Sequence, residues 1–184
     1  MVQTVVKQSL PGLILVFALP LVAGCGYSHK SLLPSDVRTI YVAPVKNTID
    51  LTGEIGEKQR FRVTRPGVEV ELTNAIRNRF IFDGTLKVVS TPTADTVLEA
   101  KLVDYRRDAL RYSEGDDIQE YRLSVVLDVT VYRVKDRKVL WRGGTAGDTS
   151  FFLSGAHALS EDEAVVKAVE DVAQRVVEKT VELW

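Results

Sequence analysis

The side chains that could act as catalysts or metal ligands are few and far apart in this sequence. The two histidines, His29 and His157, have no second histidine or cysteine at the short spacing typical of zinc ligands. A glycine-rich stretch, Gly143–Gly147, would need a following helix to hold a phosphate, but strand-forming residues come next. No pair of acidic residues is singled out by its spacing. The sequence therefore predicts a protein that binds and is not an enzyme, with no metal and no cofactor.

The single cysteine, Cys25, carries the clearest chemical prediction. It follows Leu21-Val22-Ala23-Gly24, and small residues directly before a cysteine resemble a lipobox, where bacteria attach diacylglycerol to the thiol and cleave the chain. Lys7 and the apolar run Leu13–Ala23 are typical of a secretory signal. As a helix, that run would span roughly 16 Å, about half of a hydrocarbon core. We therefore predict that Cys25 is lipidated after export.

The predicted organisation has three parts. A lipoprotein signal peptide covers residues 1–24, a lipidated tether covers 25–36, and a single globular domain covers 37–184. Two or three acyl chains hold a protein stably at a membrane, whereas one gives only marginal attachment. Gly26 stands where Asp would often signal retention in the inner membrane, so the outer membrane is favoured. An uncleaved membrane anchor is the alternative, because the uncharged stretch continues past the predicted cleavage site.

Composition and charge indicate a globular protein and restrict the kinds of partner it could bind. Hydrophobic residues make up 45% of the chain and charged residues 27%, which is typical of a globular protein. Lys and Arg number 24 against 25 Asp and Glu, whereas nucleic-acid-binding domains usually carry a clear basic excess. We therefore expect no nucleic-acid partner.

Two helices are predicted from apolar residues at helical spacing, over about Gly67–Asp83 and Glu161–Leu183. Residues typical of helix ends lie at these limits: Pro66, Gly84, Ser160 and Glu163. The second helix is rich in valine, a modest helix former, so it must be stabilised by packing against a sheet.

Strands are predicted where β-branched residues cluster or alternate with polar ones: Val37–Val45, Leu86–Ser90, Thr96–Tyr105, Tyr121–Val134 and Val139–Phe152. The alternation over Tyr121–Val134 indicates an antiparallel sheet with one covered and one polar face. The polar face would carry Arg122, Ser124, Asp128 and Thr130.

The connections are also assigned from the sequence. Asn47–Arg65 is predicted to be a long loop with a basic run, and Arg106–Asp117 a charged connection. Bulges or bends are expected at three glycines: Gly143, Gly144 and Gly147. The predicted fold is of the α/β class (α+β type), a two-layer sandwich with two helices on one face of a mixed four- to five-stranded sheet.

The order of these features resembles the LptE family of lipopolysaccharide-assembly lipoproteins. The resemblance covers nearly the whole mature chain, and the residues that carry it are Gly24-Cys25-Gly26-Tyr27, Pro44–Thr48, Leu72–Phe80, Ala94–Leu98, Glu120–Leu123 and Val139-Leu140-Trp141. It implies an outer-membrane lipoprotein that plugs a large LptD-type β-barrel and assists its assembly. It also implies contact with lipopolysaccharide (LPS) on the way to the outer leaflet. The predicted polar face suits a polar barrel lumen.

The phosphates of LPS call for arginine or lysine on a binding surface, and arginine can grip a phosphate with two hydrogen bonds. The predicted connection between the middle strands offers Arg106, Arg107 and Arg111. Our candidates are Arg107 and Arg111. The alternative is that both are ordinary surface charges, which the acidic neighbours Asp108 and Glu114 favour.

Other functions fit the same sequence features. A different envelope lipoprotein, such as an activator of a peptidoglycan synthase, would share the lipidation and a small α/β domain. A structural lipoprotein without a ligand is a further alternative. Co-purification from solubilised membranes separates the first two, because LptE would bring down a large barrel and the activator a penicillin-binding protein.

Overall fold

The computed structural model describes residues 34, 36–49, 65–155 and 158–182. The chain divides into a short unit, Met1–Lys30, and a compact unit, Ser31–Trp184. Everything described below belongs to the second unit. The predicted signal peptide, Cys25, both histidines and the middle of the predicted 47–65 loop lie outside the described residues.

Six strands and two helices are formed by the described residues. The strands are β1 (Thr39–Val42), β2 (Lys46–Asn47), β3 (Lys87–Val88), β4 (Thr96–Tyr112), β5 (Ile118–Arg133) and β6 (Val139–Phe152). The helices are α1 (Val68–Asp83) and α2 (Glu161–Glu182).

The sheet is mixed, with strand order β3-β1-β4-β5-β6 and β2 also paired with β4. β1 is parallel to β3 and β4, whereas β4, β5 and β6 are antiparallel to one another. The α+β fold is confirmed. The short β2 raises the number of strands to six, because the chain makes a second brief contact with β4 after Pro44.

The core lies between one face of this sheet and the two helices. Five alternate residues of β5 are fully buried: Leu123, Val125, Leu127, Val129 and Val131. α2 lies on β5 and β6, and α1 lies beside α2 and next to β1 and β3. Thr73 of α1 accepts a hydrogen bond from the Val45 backbone N–H at 2.9 Å, and Arg77 donates one to the Val42 carbonyl at 2.8 Å. Both bonds fasten α1 to the β1–β2 segment.

The predicted helix ends are confirmed by their hydrogen bonds. Ser160 and Glu163 form a capping box, since the Ser160 hydroxyl accepts from the Glu163 N–H at 3.2 Å and the Glu163 carboxylate accepts from the Ser160 N–H at 2.9 Å. Gly84 ends α1 with a φ of 75°, and its N–H donates to the Phe80 carbonyl at 3.0 Å. A residue with a Cβ rarely adopts that conformation, which explains the glycine.

The charged connection predicted over Arg106–Asp117 is wrong for its first half. Arg106 to Tyr112 continue β4 and pair with the first residues of β5, so the turn shrinks to Ser113–Asp117. The Ser113 hydroxyl accepts hydrogen bonds from two backbone N–H groups of this turn, at 3.2 and 3.1 Å. Backbone pairing with a long partner strand outweighs the charged composition, because strand residues with one face in water can carry charges.

The bulges or bends predicted at Gly143, Gly144 and Gly147 are also wrong. All three glycines pair in continuous register with β5, and the register shift of that pair lies at Val131/Tyr132. The shifts of the β4–β5 pair lie between Leu102 and Asp104 and on both sides of Arg111. The register therefore shifts at other positions than these three glycines: the extra residues are Val103 and Leu110 of β4, Gln119 of β5 and Leu140 of β6.

Asp95 ties the start of β4 to the start of β1. Its Oδ2 accepts hydrogen bonds from the Arg38 N–H (3.0 Å), the Thr39 N–H (2.9 Å) and the Thr39 hydroxyl (2.8 Å). The Thr39 hydroxyl and the two backbone donors lower the pKa of Asp95, because they stabilise its charged form.

We expect Asp95→Asn to lower the free energy of unfolding at pH 7 by about 1–2 kcal/mol, because an amide replaces a carboxylate that accepts three hydrogen bonds. A lowered pKa in the folded state gives stability that is full above the unfolded value of 3.8 and is lost as pH falls through the folded value. Urea denaturation at pH 7 and at acid pH measures the free energy of unfolding of both proteins. We expect the difference between them to be smaller at acid pH. An equal difference at both pH values would contradict this role.

Candidate functional site

Arg107 lies on the face of β4 that the helices cover. Its Nη1 donates to Glu161 Oε2 at 2.5 Å, and its guanidinium carbon lies 4.6 Å from the centre of the Tyr121 ring. The Nε atom is buried and has no hydrogen-bond partner among the described residues. A phosphate could bind this guanidinium only by displacing Glu161 or by reaching the buried Nε. The phosphate-binding position predicted at Arg107 is therefore already taken by the Glu161 carboxylate.

Arg111 lies near the end of β4 and is far more accessible. Its side chain is 60% exposed, and its guanidinium carbon lies 5.5 Å from the centre of the Phe152 ring. Glu120 is its acidic neighbour, but the Nε–Oε2 distance of 3.6 Å is too long for a hydrogen bond. The guanidinium of Arg111 is therefore accessible to a ligand.

The two predicted arginines lie on opposite faces of the sheet. From Tyr105 to Ala109, which pairs with Tyr121, odd-numbered residues of β4 face the helices. The register shift that follows pairs Arg111 with Glu120, on the opposite face. One extra residue in a bulge moves the next side chain to the other face, because strand side chains alternate. Arg107 and Arg111 therefore do not form a single patch.

Exposed apolar residues lie near Arg111 in the chain and at the end of the paired strand. Leu110 is 41% exposed, Tyr112 55% and Leu153 52%. Leu153 is held next to the start of β5 by a hydrogen bond from its N–H to the Gln119 carbonyl at 3.1 Å. We call Leu110, Arg111, Tyr112, Phe152 and Leu153 the sheet end. A surface with one exposed guanidinium among apolar side chains suits an amphiphile with an anionic group.

The sequence predictions missed the apolar part of the sheet end. Leu110 and Tyr112 flank Arg111 in a stretch that was assigned to a charged connection. The signal that could have found them is two large apolar residues on either side of an arginine, within a segment too charged to be core. Leu153 could not have been found in this way, because it comes near the end of β4 only through the pairing of β5 with β6.

The acidic start of α2 is taken up by an ion-pair network and offers no open site. Arg65 donates to Asp162 at 2.5 Å and to Glu71 at 3.2 Å. Burial raises the pKa of the neighbouring Tyr105 to about 12, and the Glu161 carboxylate adds to the rise. Tyr105 therefore stays neutral at physiological pH. The carboxylates also lie at the positive end of the helix dipole, where they stabilise α2. The network therefore has a structural role.

The face of the sheet away from the helices carries charges of both signs. Its members are Glu99, Lys101, Asp104, Arg106, Asp108, Arg111, Glu120, Arg122, Asp128, Arg142 and Asp148. Arg106 pairs with Asp104 at 2.9 Å and with Asp108 at 3.1 Å, and Ser124 hydrogen-bonds to Asp148. The predicted polar face is therefore present, with basic and acidic side chains interspersed. We call it the open face.

The described residues contain neither a metal-binding cluster nor a membrane-crossing helix. No group of three or more His, Cys, Asp or Glu side chains in these ranges is placed to hold a metal ion. No helix in the same ranges is both long enough and apolar enough to cross a bilayer.

A mixed sheet with two helices on one face and a charged open face defines an α+β domain. Residues 37–180 match the family model LptE, described as lipopolysaccharide-assembly. Because the match covers most of the chain, this protein belongs to the LptE family, a family of non-enzymatic LPS-assembly lipoproteins.

Solved structures show the same fold at low sequence identity. The chain is similar to an uncharacterized lipoprotein B from Nitrosomonas europaea (TM-score 0.53, 14% identity, 81% of this chain and 84% of that one). It is also similar to protein XCC0632 from Xanthomonas campestris (TM-score 0.52, 13% identity, 85% and 87%). No curated protein gives a significant sequence match. At such identities the structures support the fold alone.

Proposed function

We propose that this protein is an outer-membrane lipoprotein of LPS transport and assembly. In this role it is anchored through Cys25, acts as plug and assembly partner of a large LptD-type β-barrel, and contacts LPS at the sheet end. The observation that carries the proposal is the exposed guanidinium of Arg111 among apolar side chains, in a chain of the LptE family.

The contact with LPS is assigned chiefly to Arg111. LPS combines phosphates with acyl chains, and the sheet end offers a cation next to exposed leucine and tyrosine side chains. Arg107 belongs to the proposal in a lesser role, because its guanidinium is held by Glu161 and by the Tyr121 ring. A phosphate bound by Arg111 would replace the weak contact with Glu120, which costs little.

The barrel partnership is supported by the charges and the size of the domain. The open face carries interspersed charges, and the inner wall of a large barrel is polar. The compact unit of about 154 residues has an expected radius of gyration of roughly 15 Å. A barrel that encloses such a body needs about 22 strands, the size at which barrels carry plugs. Co-purification of a large barrel with the native protein tests this part of the proposal.

We expect Arg111→Glu to weaken LPS binding by the mature, lipidated protein roughly tenfold or more, because a charge-assisted hydrogen bond is lost and a like charge faces the phosphate. Arg107→Gln should have a much smaller effect. Binding of fluorescent LPS to the detergent-purified protein measures both.

Arg142→Glu is the matched control. Arg142 is an exposed arginine of β6 on the open face, paired with Thr130 and ten residues from Phe152 along the strand. The Arg142→Glu substitution changes the net charge by the same amount as Arg111→Glu. Equal weakening in the two variants would show that only net charge matters, and an unchanged affinity of Arg111→Glu would reject the LPS site.

A further inference from the structure

The two edges of the sheet differ in length and in how they are protected. β3 forms one edge and has two residues, whereas β6 forms the other and has 14. A strand edge carries backbone N–H and C=O groups without a partner in the sheet, and proteins usually protect it with proline, lysine, a bulge or a short strand. The segment Arg142–Asp148 of β6 contains neither proline nor lysine and pairs with β5 in continuous register. We call this segment the β6 edge.

Two hydrogen bonds from α2 show which backbone groups of the β6 edge point away from β5. The Gly144 carbonyl accepts from Lys179 Nζ at 3.2 Å. The Asp148 N–H donates to Asp171 Oδ2 at 3.0 Å. Because the backbone groups of alternate residues point to the same side of an antiparallel strand, the even-numbered residues direct theirs outward. Ala146 therefore directs both its N–H and its C=O outward, and neither has a hydrogen-bond partner among the described residues.

The two contacts from α2 can be given up at little cost. Asp171 also accepts a hydrogen bond from Arg175 Nε at 3.0 Å, so its carboxylate keeps a partner when it leaves the edge. Lys179 ends in an ammonium group that water solvates strongly. An incoming backbone that offers an N–H to Gly144 and a C=O to Asp148 would therefore replace both bonds.

The glycine at position 144 is not required by the packing of the domain. A Cβ there would have no neighbour closer than the Leu127 carbonyl oxygen at 4.0 Å, and Gly144 is not among the glycines with a positive φ. Glycine in a strand interior often marks the close approach of another backbone. Ala146, the next residue on the same face, is also small. Side chains therefore leave room for a backbone beside this edge.

A second copy of this chain does not fit the β6 edge. A Cβ on Gly147 would clash with the backbone of α2 at Ala168 and Val172, so α2 lies directly above β6. Two antiparallel edge strands related by a two-fold axis would carry both copies of α2 on the same face of the joint sheet. The two helix axes would then be about as far apart as neighbouring strands, roughly 5 Å, whereas packed helices need about 8–10 Å. The edge therefore fits an extended segment that no helix covers.

We propose that the β6 edge pairs with an extended, polar segment of the barrel partner, which adds a seventh strand to the sheet. A row of alternating N–H and C=O groups is complemented by another extended backbone. Charged side chains flank the position of the added strand, Asp171 and Lys179 from α2 and Arg142 and Asp148 on the open face. The side chains of that strand are therefore polar. This inference rests on the proposed barrel partnership and names the backbone contact through which the barrel holds its plug.

Hydrogen–deuterium exchange of single amides tests this pairing, in the lipidated protein alone and in its complex with the barrel that co-purifies with it. In the isolated protein we expect the outward N–H of Ala146 to exchange rapidly and those of Thr145 and Gly147 slowly, because only these two are directed at β5. In the complex, exchange at Ala146 should slow at least tenfold. Val88 is the control, because its N–H points away from β1 on the opposite edge, between two residues that bond to the β1 side. Its exchange should stay fast.

Ala146→Pro blocks the added strand without removing a hydrogen bond within the described domain, because the outward N–H has no partner there. Ala146→Val is the matched control, since valine keeps the N–H and favours a strand. We expect the barrel to release the proline variant roughly tenfold faster in detergent than the valine variant, because one hydrogen bond is lost and its acceptor is left unpaired. Urea midpoints of the isolated variants check that both are folded. If the proline variant does not fold, the exchange experiment on the wild-type protein decides.

The outcomes separate this inference from the barrel partnership. If no large barrel co-purifies with the wild-type protein, the partnership is rejected and the inference with it. Unchanged exchange at Ala146, equal slowing at Ala146 and Val88, or equal release of two folded variants would overturn the edge pairing while the partnership stands. Slow exchange at Ala146 in the isolated protein would also overturn it, because the chain itself or a second copy would then cover the edge.

Discussion

Replacing Gly147 by alanine should lower the free energy of unfolding by about 3 kcal/mol, at the upper end of what overpacking usually costs. A Cβ at this position would lie 2.3 Å from the Ala168 carbonyl oxygen and 2.4 Å from the Val172 backbone nitrogen. Both are backbone atoms of α2, so no side-chain rotation can relieve the clash. The helix would have to move off β6 and open the core. Urea denaturation of the two proteins measures the loss.

Gly144→Ala is the matched control in the same strand. A Cβ there faces the open side, and its nearest neighbour is the Leu127 carbonyl oxygen at 4.0 Å. We expect a change within about 0.5 kcal/mol, or a small gain, because glycine weakens a strand interior. If the two alanine variants were equally stable, the close approach of α2 to Gly147 would be refuted.

Phe80→Ala should destabilise the protein by about 3–5 kcal/mol, the range for removing a buried phenylalanine. Phe80 of α1 is fully buried in the core cluster that joins the helices to the sheet. Its removal leaves a cavity between α1 and the β1–β3 edge of the sheet, where neighbouring β-branched residues have little freedom to fill it. The midpoint of chemical denaturation measures the loss.

Phe82→Ala removes the same side chain two residues later and serves as the control. Phe82 is 80% exposed, and its contact is with the Arg79 guanidinium at 5.2 Å. We expect a change of at most about 1 kcal/mol, the size of an exposed cation–π contact. Similar losses in both variants would mean that the face of α1 turned toward the core has been assigned incorrectly.

Local patterns were sufficient for the helices and for the longest strands. The predicted limits of α1 and α2 differ from the structure by one residue at each end where they differ at all, because Gly84 and the Ser160–Glu163 pair are short-range signals. The alternation over Tyr121–Val134 placed Leu123 and Leu127 in the core correctly. These features depend on residues within a few positions of one another, which a sequence displays directly.

The long-range features were predicted less well. Arg106–Tyr112 form a strand because β5 lies beside them, and nothing in their own composition indicates it. Gly143 and Gly144 show no bulge, and Gly147 is glycine because α2 crosses it at Ala168 and Val172. In each case the partner that decides the conformation lies outside the window in which sequence patterns are visible.

The candidate site shows the same division. The basic residues near the middle strands were visible in the sequence, and so were the single cysteine with its apolar leader and the motifs shared with the LptE family. The sequence thus established the class of protein, the two helices and the alternating face of β5. The register shift beside Arg111 places this residue and Arg107 on opposite faces of the sheet. Arg107 is bound to Glu161, whereas Arg111 is exposed. The face of a strand on which a side chain lies depends on the pairing register, and a single extra residue reverses that face. Only the tertiary structure therefore decided which arginine is accessible and which apolar residues lie near it.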